Sequence, residues 1–230
     1  MGKLILVRHG RTTLNRPGER EILRSWLNVP LNETGFREAE ETAEKLREYP
    51  IEAVYSSDLR RARQMTRILC RGLKVRVTVT RDLRPWNLGI FGGERVRDVL
   101  PFLNLLTENP TLPAPGGESF NQFYERYNRR LMELLQITEA VQGYVLAVTH
   151  VRNLLAATSI IEGRDKNQVP IKGGPKTGMI AIVERDGGRW TIRREDGSPV
   201  AEAPPPPQQR RAPVVMTKTM PHLQIASSGD

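Results

Sequence analysis

The run Leu4-Ile5-Leu6-Val7-Arg8-His9-Gly10 decides the fold class of this chain. Its first four residues are all apolar, which is typical of a central strand that is covered on both faces. The run ends abruptly in polar residues, so His9 follows directly on the carboxyl end of the predicted strand. In open α/β sheets, ligands bind at this end of the strands. The stretch therefore predicts a buried strand that delivers His9 to a functional site.

Strand and helix patterns alternate along the rest of the chain. Residues 144–148 form a second apolar run, which leads into Thr149 and His150. Asp186-Gly187-Gly188 predicts the turn of a hairpin. This alternation predicts a three-layer α/β/α sandwich with a mostly parallel central sheet, and places a histidine at two strand ends. The remaining predicted strands are residues 53–55, 75–79, 179–184 and 189–193, and the predicted helices are residues 36–49, 59–69, 119–136 and 151–161.

Length and composition indicate one ordinary globular domain. The chain has 230 residues, of which 38% are hydrophobic and 27% charged. Its one cysteine, Cys70, cannot form an internal disulfide, and neither a signal pattern nor a membrane-spanning apolar stretch is visible. We therefore expect a cytoplasmic protein without a membrane partner. No acidic cluster or Cys/His spacing suggests a metal, so no metal and no other cofactor is expected.

The charge balance favours an anionic ligand. Lysine and arginine number 35 against 26 aspartates and glutamates, which gives a formal net charge of +9. Such an excess suits phosphate esters, nucleotides or nucleic acid. The basic residues are scattered and lack interleaved aromatics, which argues against nucleic acid and leaves a small phosphorylated substrate as the expected partner.

The composition changes near Ser198. Residues 204–207 are four successive prolines, followed by Gln208-Gln209-Arg210-Arg211, a pattern that joins neither a sheet nor a helix. The predicted organisation is a catalytic domain at residues 1–197 and a proline-rich, disordered tail at residues 198–230. A proline-motif partner for the tail is one alternative, and the oligomeric state is open, with a homodimer among the options.

Five blocks follow one another in a fixed order within residues 1–160. Arg-His-Gly alone is a weak signal, whereas five ordered blocks are strong evidence. Together they resemble the histidine phosphatase superfamily, in its phosphoglycerate mutase-like branch. The blocks are residues 6–15 (LVRHGRTTLN), Trp26 with residues 30–35 (PLNETG), residues 56–64 (SSDLRRARQ), residues 115–119 (PGGES) and residues 145–150 (VLAVTH).

The resemblance implies a metal-independent phosphoric monoester hydrolase with a phosphohistidine intermediate. A neutral imidazole can attack phosphorus, so His9 is the candidate nucleophile. Arg8 and Arg61 can each offer bidentate donors to phosphate oxygens, and His150 would donate to the transferring group. Positioning and charge are what phosphoryl transfer mainly requires.

Three further residues are predicted to bind phosphate. Asn15 resembles a phosphate-contacting asparagine of the family, although an asparagine here could instead simply end a turn. Thr12 could cap the turn or contact the same oxygens. Gly10 allows a close approach of the backbone.

One residue departs from the family pattern at a reactive position. Many members carry a glutamate that protonates the leaving oxygen in a block similar to residues 83–89, and Pro85 stands there in this chain. Either another carboxylate substitutes, with Glu118 and Glu94 as candidates, or the leaving group needs little help. Each glutamate could instead simply cap or solvate its helix.

Two smaller departures concern the shape of the pocket. Ser25 and Val151 stand where glycine is common in the family, and both could narrow the pocket. Specificity is expected from the residues over its mouth, 16–28 and 92–115. Their arginines favour an acidic substrate: Arg16, Arg20, Arg24, Arg95 and Arg97.

Two other functions compete with the phosphatase. A phosphoglycerate mutase is disfavoured for two reasons. Mutases usually carry a long insertion that encloses the substrate, whereas the segment 95–115 of this chain is short, and the glutamate of the family pattern is missing. A non-catalytic adaptor that binds a phosphorylated ligand and recruits a partner through the tail is suggested by Pro85 and the prolines. Retention of His9 argues against it, since binding alone needs no nucleophile.

Overall fold

The computed structural model describes residues 2–15, 18–166, 169–170 and 173–201. The predicted tail from residue 202 onwards lies outside these residues. The strands are β1 (Lys3–Arg8), β2 (Ile51–Ser57), β3 (Val77–Thr80), β4 (Tyr144–Thr149), β5 (Ile180–Asp186) and β6 (Arg189–Arg194). The α-helices are α1 (Glu33–Leu46), α2 (Arg60–Leu69), α3 (Val96–Glu108), α4 (Phe120–Glu139) and α5 (Val151–Ile161).

The strands form one mixed sheet of six in the order β3-β2-β4-β1-β5-β6. β3, β2, β4 and β1 run parallel, while β5 and β6 pair antiparallel at the other side. The predicted hairpin is confirmed: Gly187 and Gly188 join β5 to β6 with φ of 54° and 84°, which a non-glycine residue rarely adopts.

Alternating side chains of β1 separate two apolar layers, which confirms the three-layer α/β/α sandwich. Leu4 and Leu6 pack in the cluster that contains α3, α4 and α5. Ile5 and Val7 pack in the cluster with α1 and α2 on the opposite face. All four side chains are fully buried, as expected for a strand covered on both sides.

Helix α3 occupies part of a stretch in which no element was predicted. Its buried residues Val99, Leu103 and Leu106 follow helical spacing and pack against the core. Pro101 lies inside the helix and removes one backbone donor, and a proline in a sequence pattern normally indicates that a helix ends there. The helix narrows the space above the carboxyl end of the sheet, because Leu103 lines the cavity there.

The packed chain extends past the predicted end of the domain. Val200 is 1% exposed and belongs to the same core cluster as α4 and α5. No helix in the described part of the chain is both long and apolar enough to cross a bilayer.

The hydroxyl of Tyr127 provides a test of this core. Tyr127 on α4 is fully buried, and its hydroxyl has no hydrogen-bond partner among the described residues. An unsatisfied buried hydroxyl costs about 1–3 kcal/mol, so Tyr127→Phe is expected to raise the free energy of unfolding by about 1 kcal/mol. Urea denaturation of both proteins measures the difference. A loss of stability in the variant would show that the hydroxyl is satisfied and that this account of the core is wrong.

Candidate active site

The register between two central strands brings the two predicted histidines together. Arg8 at the end of β1 is the register partner of Thr149 at the end of β4. The next residues, His9 and His150, therefore emerge side by side, and the His9 amide donates to the Thr149 carbonyl at 3.0 Å. Their ring centroids lie 5.0 Å apart, and both side chains are 2% exposed.

Hydrogen bonds fix the orientation of the His9 ring. Its Nδ1 lies 2.7 Å from the carbonyl oxygen of Gly10. A carbonyl can only accept, so Nδ1 carries the proton and Nε2 holds the lone pair. Arg61 Nε donates to that Nε2 at 3.2 Å. The nitrogen that carries the nucleophilic lone pair is therefore Nε2, which accepts a hydrogen bond from a cation.

Backbone carbonyls of the loop that contains Ser25 and Leu27 hold the Arg61 guanidinium in place. It lies in the first turn of α2, is 1% exposed, and donates to Leu27 O at 2.7 Å and Ser25 O at 3.0 Å. Ser25 adopts a positive φ of 40°, the region that favours glycine. Its hydroxyl accepts from the Leu88 amide at 2.8 Å and so ties this loop to the segment after Pro85. The neighbouring Arg60 is exposed.

Two buried nitrogen atoms at the site have no hydrogen-bond partner among the described residues: Nε of Arg8 and Nδ1 of His150. Arg8 also donates from Nη1 to the Pro175 carbonyl. The other ring nitrogen of His150, Nε2, lies 2.8 Å from the hydroxyl of Ser57 at the end of β2. Since buried polar groups are normally satisfied, these two atoms are suited to a ligand.

The site carries more positive than negative charge. Burial, and then the neighbouring Arg61, hold the pKa of both histidines well below the usual range. Burial and nearby arginines also lower the pKa of Arg8 to about 10 and that of Arg61 to about 9. Both arginines remain charged at neutral pH while both imidazoles are neutral. An anion that enters this site would supply the missing charge.

The three other residues that were predicted to bind phosphate make mainly structural contacts. Asn15 Oδ1 accepts from the Thr12 amide at 2.9 Å and from its hydroxyl at 3.0 Å, so this oxygen closes a turn. Thr12 is fully buried. A Cβ on Gly10 would lie 2.4 Å from Gly35 O, so the close approach predicted for Gly10 is made to the start of α1. Gly10 also orients His9 through its carbonyl.

Neither carboxylate suggested as a proton donor lines the cavity. Glu118 accepts from Arg126 Nη2 at 2.7 Å and from the Asn87 amide at 2.8 Å, which fixes the loop after Pro85. Glu94 is exposed. Pro85 itself lines the cavity wall. The structure therefore gives no support to Glu118 or Glu94 as the acid, and their catalytic roles stay predictions.

A cavity of about 620 Å³ opens above His9 and His150. Besides Arg8 and Arg61, the arginines Arg24, Arg97 and Arg152 line it. Among the described residues, no cluster of three or more His, Cys, Asp or Glu side chains could hold a metal ion.

The cavity also contains residues that sequence reasoning assigned otherwise or missed. Arg152 and Glu21, which line the cavity, were not singled out. Ser57, which contacts His150 behind the cavity lining, was seen only as part of a helix start. Arg152 could have been found from its place two residues after His150, at the start of a helix that follows a strand end. Of the pocket-mouth arginines that were predicted, Arg24 and Arg97 are in the lining, and Arg16 lies outside the described residues.

An α/β sandwich with two strand-end histidines among buried arginines is the architecture of a known superfamily. Residues 4–196 match the histidine phosphatase superfamily (branch 1), and the chain belongs to it. A phosphoglycerate mutase-like protein 4 of Arabidopsis thaliana is 30% identical over 200 residues, which cover 83% of each chain. A metal-independent phosphoserine phosphatase of the same plant is 32% identical over 158 residues, or 64% of this chain and 63% of the relative.

Solved structures share the fold. A mycobacterial glucosyl-3-phosphoglycerate phosphatase superposes with a TM-score of 0.70 at 23% identity, covering 85% of this chain and 99% of the other. The alpha-ribazole phosphatase of Shigella flexneri gives 0.70 at 22% identity, covering 84% and 95%. The relatives of this chain are thus phosphatases and phosphoglycerate mutase-like proteins.

The lowered histidine pKa values predict a pH-dependent stability. Unfolded histidine titrates near 6.5, whereas folded His9 and His150 stay neutral to lower pH. As pH falls below about 6.5, only the unfolded chain takes up these protons, so the free energy of unfolding decreases. Between pH 7 and 5 the loss is expected to be at most about 2 kcal/mol for each histidine, the limit set by the titration of the unfolded chain.

Urea denaturation at pH 7 and pH 5 measures this loss. The double variant His9→Asn/His150→Asn removes the two titrating groups, so it should lose markedly less stability over the same interval. Equal losses in the wild type and the double variant would contradict the assigned protonation states.

Proposed function

We propose that this protein is a metal-independent phosphatase that transfers the phosphoryl group of a small phosphorylated substrate to Nε2 of His9 and then to water. One observation carries the proposal: Nε2 of His9 holds a lone pair, because Nδ1 donates to Gly10 O, and it lies against Arg61. A nucleophile of fixed orientation beside a buried cation suits attack on an anionic phosphoryl group.

In the first step, transfer of the phosphoryl group to His9, donors must balance the negative charge on the equatorial phosphoryl oxygens. Arg8 and Arg61 supply two planar guanidinium groups, and Arg8 Nε has no partner among the described residues. In this proposal the Ser57 hydroxyl donates to His150 Nε2, 2.8 Å away, and the ring proton is then on Nδ1, which has no partner among the described residues. His150 is thereby a neutral donor to a third oxygen.

The second step returns His9 to its starting state. Water attacks the phosphorus, the P–N bond breaks, and its electron pair goes back to Nε2. Gly10 O holds the Nδ1 proton throughout, so the imidazole stays correctly oriented. Burial in a cationic pocket disfavours imidazolium and keeps the nucleophile available at neutral pH.

Rapid quench with p-nitrophenyl [³²P]phosphate tests the proposal. Wild-type protein is expected to carry acid-labile, base-stable label that decays as inorganic phosphate appears, and His9→Ala should carry none, because its nucleophile is missing. His222→Ala, which changes the third histidine of the chain, is the matched control and should label like the wild type.

The same experiment separates the alternatives. Label that persists until a second phosphate ester is added, and then moves to it, would identify a mutase. Absence of both label and turnover in folded wild-type protein that still binds phosphate would leave the adaptor function. Undiminished label on His9→Ala would place the nucleophile elsewhere.

Pro85 provides a second prediction. It is buried in the cavity wall, and proline has no N–H to lose on substitution. Pro85→Glu places a carboxyl group at the position where the family carries its acid. We expect the variant to hydrolyse glycerol phosphate at least about tenfold faster than wild type, since general acid catalysis contributes roughly 10²–10⁴-fold.

Pro85→Gln is the control, because it has nearly the same size and no proton of suitable acidity. Steady-state phosphate release at pH 6–7 compares the three proteins. Equal rates for the glutamate and glutamine variants would show that the residue at 85 does not limit protonation of the leaving group.

A further inference from the structure

The cavity holds more positive charge than one phosphoryl group requires. Its described lining contains five arginines and one carboxylate, Glu21. With neutral histidines, this leaves four more cations than anions. A transferring phosphoryl dianion with Arg8 and Arg61 accounts for two of them. The remaining excess indicates a second anionic group on the substrate.

Two further arginines of the cavity lining, Arg24 and Arg152, are the candidates for binding that second group. The side chain of Arg24 is only 12% exposed, and its Nη2 lies 3.1 Å from Glu21 Oε1. Arg152, at the start of α5, is partly buried and donates to the Pro170 carbonyl. Burial lowers the pKa of Arg152 to about 10, and each of these two arginines lowers the pKa of Arg8. The two therefore act in the same electrostatic field as the proposed catalytic groups.

Arg97, by contrast, is half-exposed and pairs with the adjacent Asp98 at 3.1 Å. Asp98 partly balances its charge, as Glu21 does that of Arg24, but Arg97 is also accessible to water, so it contributes less to a buried subsite.

The leaving group faces a second constraint. Pro85 lines the cavity wall, at the sequence position where many members of the family carry a glutamate. Glu21, the one carboxylate in the described lining, is already engaged by Arg24. A departing alkoxide is about as basic as hydroxide, whose conjugate acid, water, has a pKa of about 15.7. Such a leaving group therefore needs a proton. A departing phosphate, with a second pKa of about 6, leaves without one.

We propose that Arg24 and Arg152 bind a phosphate that is itself the leaving group, so that the substrate is a phosphoanhydride, such as pyrophosphate or the diphosphate of a nucleoside. This inference rests on the proposed phosphohistidine chemistry and adds the substrate class. It accounts for the excess cations and for Pro85 together, because the arginines neutralise the developing charge that an acid would otherwise protonate.

The reaction balances without another reagent. His9 Nε2 forms a bond to the terminal phosphorus as the bridging P–O bond breaks, and that electron pair stays on the bridging oxygen. This oxygen becomes part of the departing phosphate, held by Arg24 and Arg152. Water then cleaves the P–N bond, giving inorganic phosphate and releasing one proton to solvent.

Leaving-group dependence tests the proposal. Values of kcat/KM are measured for full-length protein with pyrophosphate, ADP, p-nitrophenyl phosphate and glycerol phosphate, with a chelator present. We expect both anhydrides to exceed glycerol phosphate at least about 100-fold, the lower range of what an acid would otherwise contribute. Arg24→Gln and Arg152→Gln should lower kcat/KM for the anhydrides at least about tenfold more than for p-nitrophenyl phosphate.

Arg47→Gln is the matched control, because it removes the same charge from a side chain that is 74% exposed and outside the cavity. It should change none of the four values.

Two results would overturn the anhydride proposal: a kcat/KM for glycerol phosphate as high as those for the anhydrides, or equal effects of the two variants on all substrates. If p-nitrophenyl phosphate still labels His9 in that case, the proposed function stands without it. If no substrate labels His9, both proposals fail. A specific loss of activity in Glu21→Gln on glycerol phosphate would instead identify Glu21 as the missing acid and overturn the anhydride proposal.

Discussion

The register between β1 and β4 is the constraint on which the rest of the site depends. Because Arg8 pairs with Thr149, the two histidines leave the sheet side by side, each at the end of a strand buried on both faces. A slip of one residue would turn His9 to the other face of the sheet. The apolar strands that precede the two histidines thus form the core of the protein and also align the two imidazole rings.

A second dependence is electrostatic. Arg8 and Arg61 are buried beside two neutral histidines, an arrangement that costs free energy without a bound anion. Backbone carbonyls of Ser25, Leu27 and Pro175 satisfy part of their hydrogen-bonding capacity without neutralising the charge. The site is therefore arranged to bind an anion, and its stability should rise when one is present.

Much of this structure could be predicted from sequence, because strand runs and strand-end residues are local patterns. Such patterns and the ordered family blocks predicted a site made of Arg8, His9, Arg61 and His150, and the structure brings these four side chains to one cavity. Helix α3 was missed because it contains Pro101, and a proline inside a helical pattern normally marks the end of a helix. Arg152 and Glu21 were missed because only the folded chain brings them to the cavity. Glu118 looked reactive from its position, yet its carboxylate is engaged by Arg126 and a backbone amide.

The central claim is that Nε2 of His9 attacks phosphorus within a ring of donors from Arg8, Arg61 and His150. A crystal structure of the protein with orthovanadate, which adopts the geometry of the transferring phosphoryl group, tests it most directly. The account predicts vanadium bonded to Nε2 of His9, with its equatorial oxygens on the two guanidinium groups and on Nδ1 of His150. Vanadate bound elsewhere in the cavity, or His9 turned so that Nδ1 faces the metal, would contradict the account.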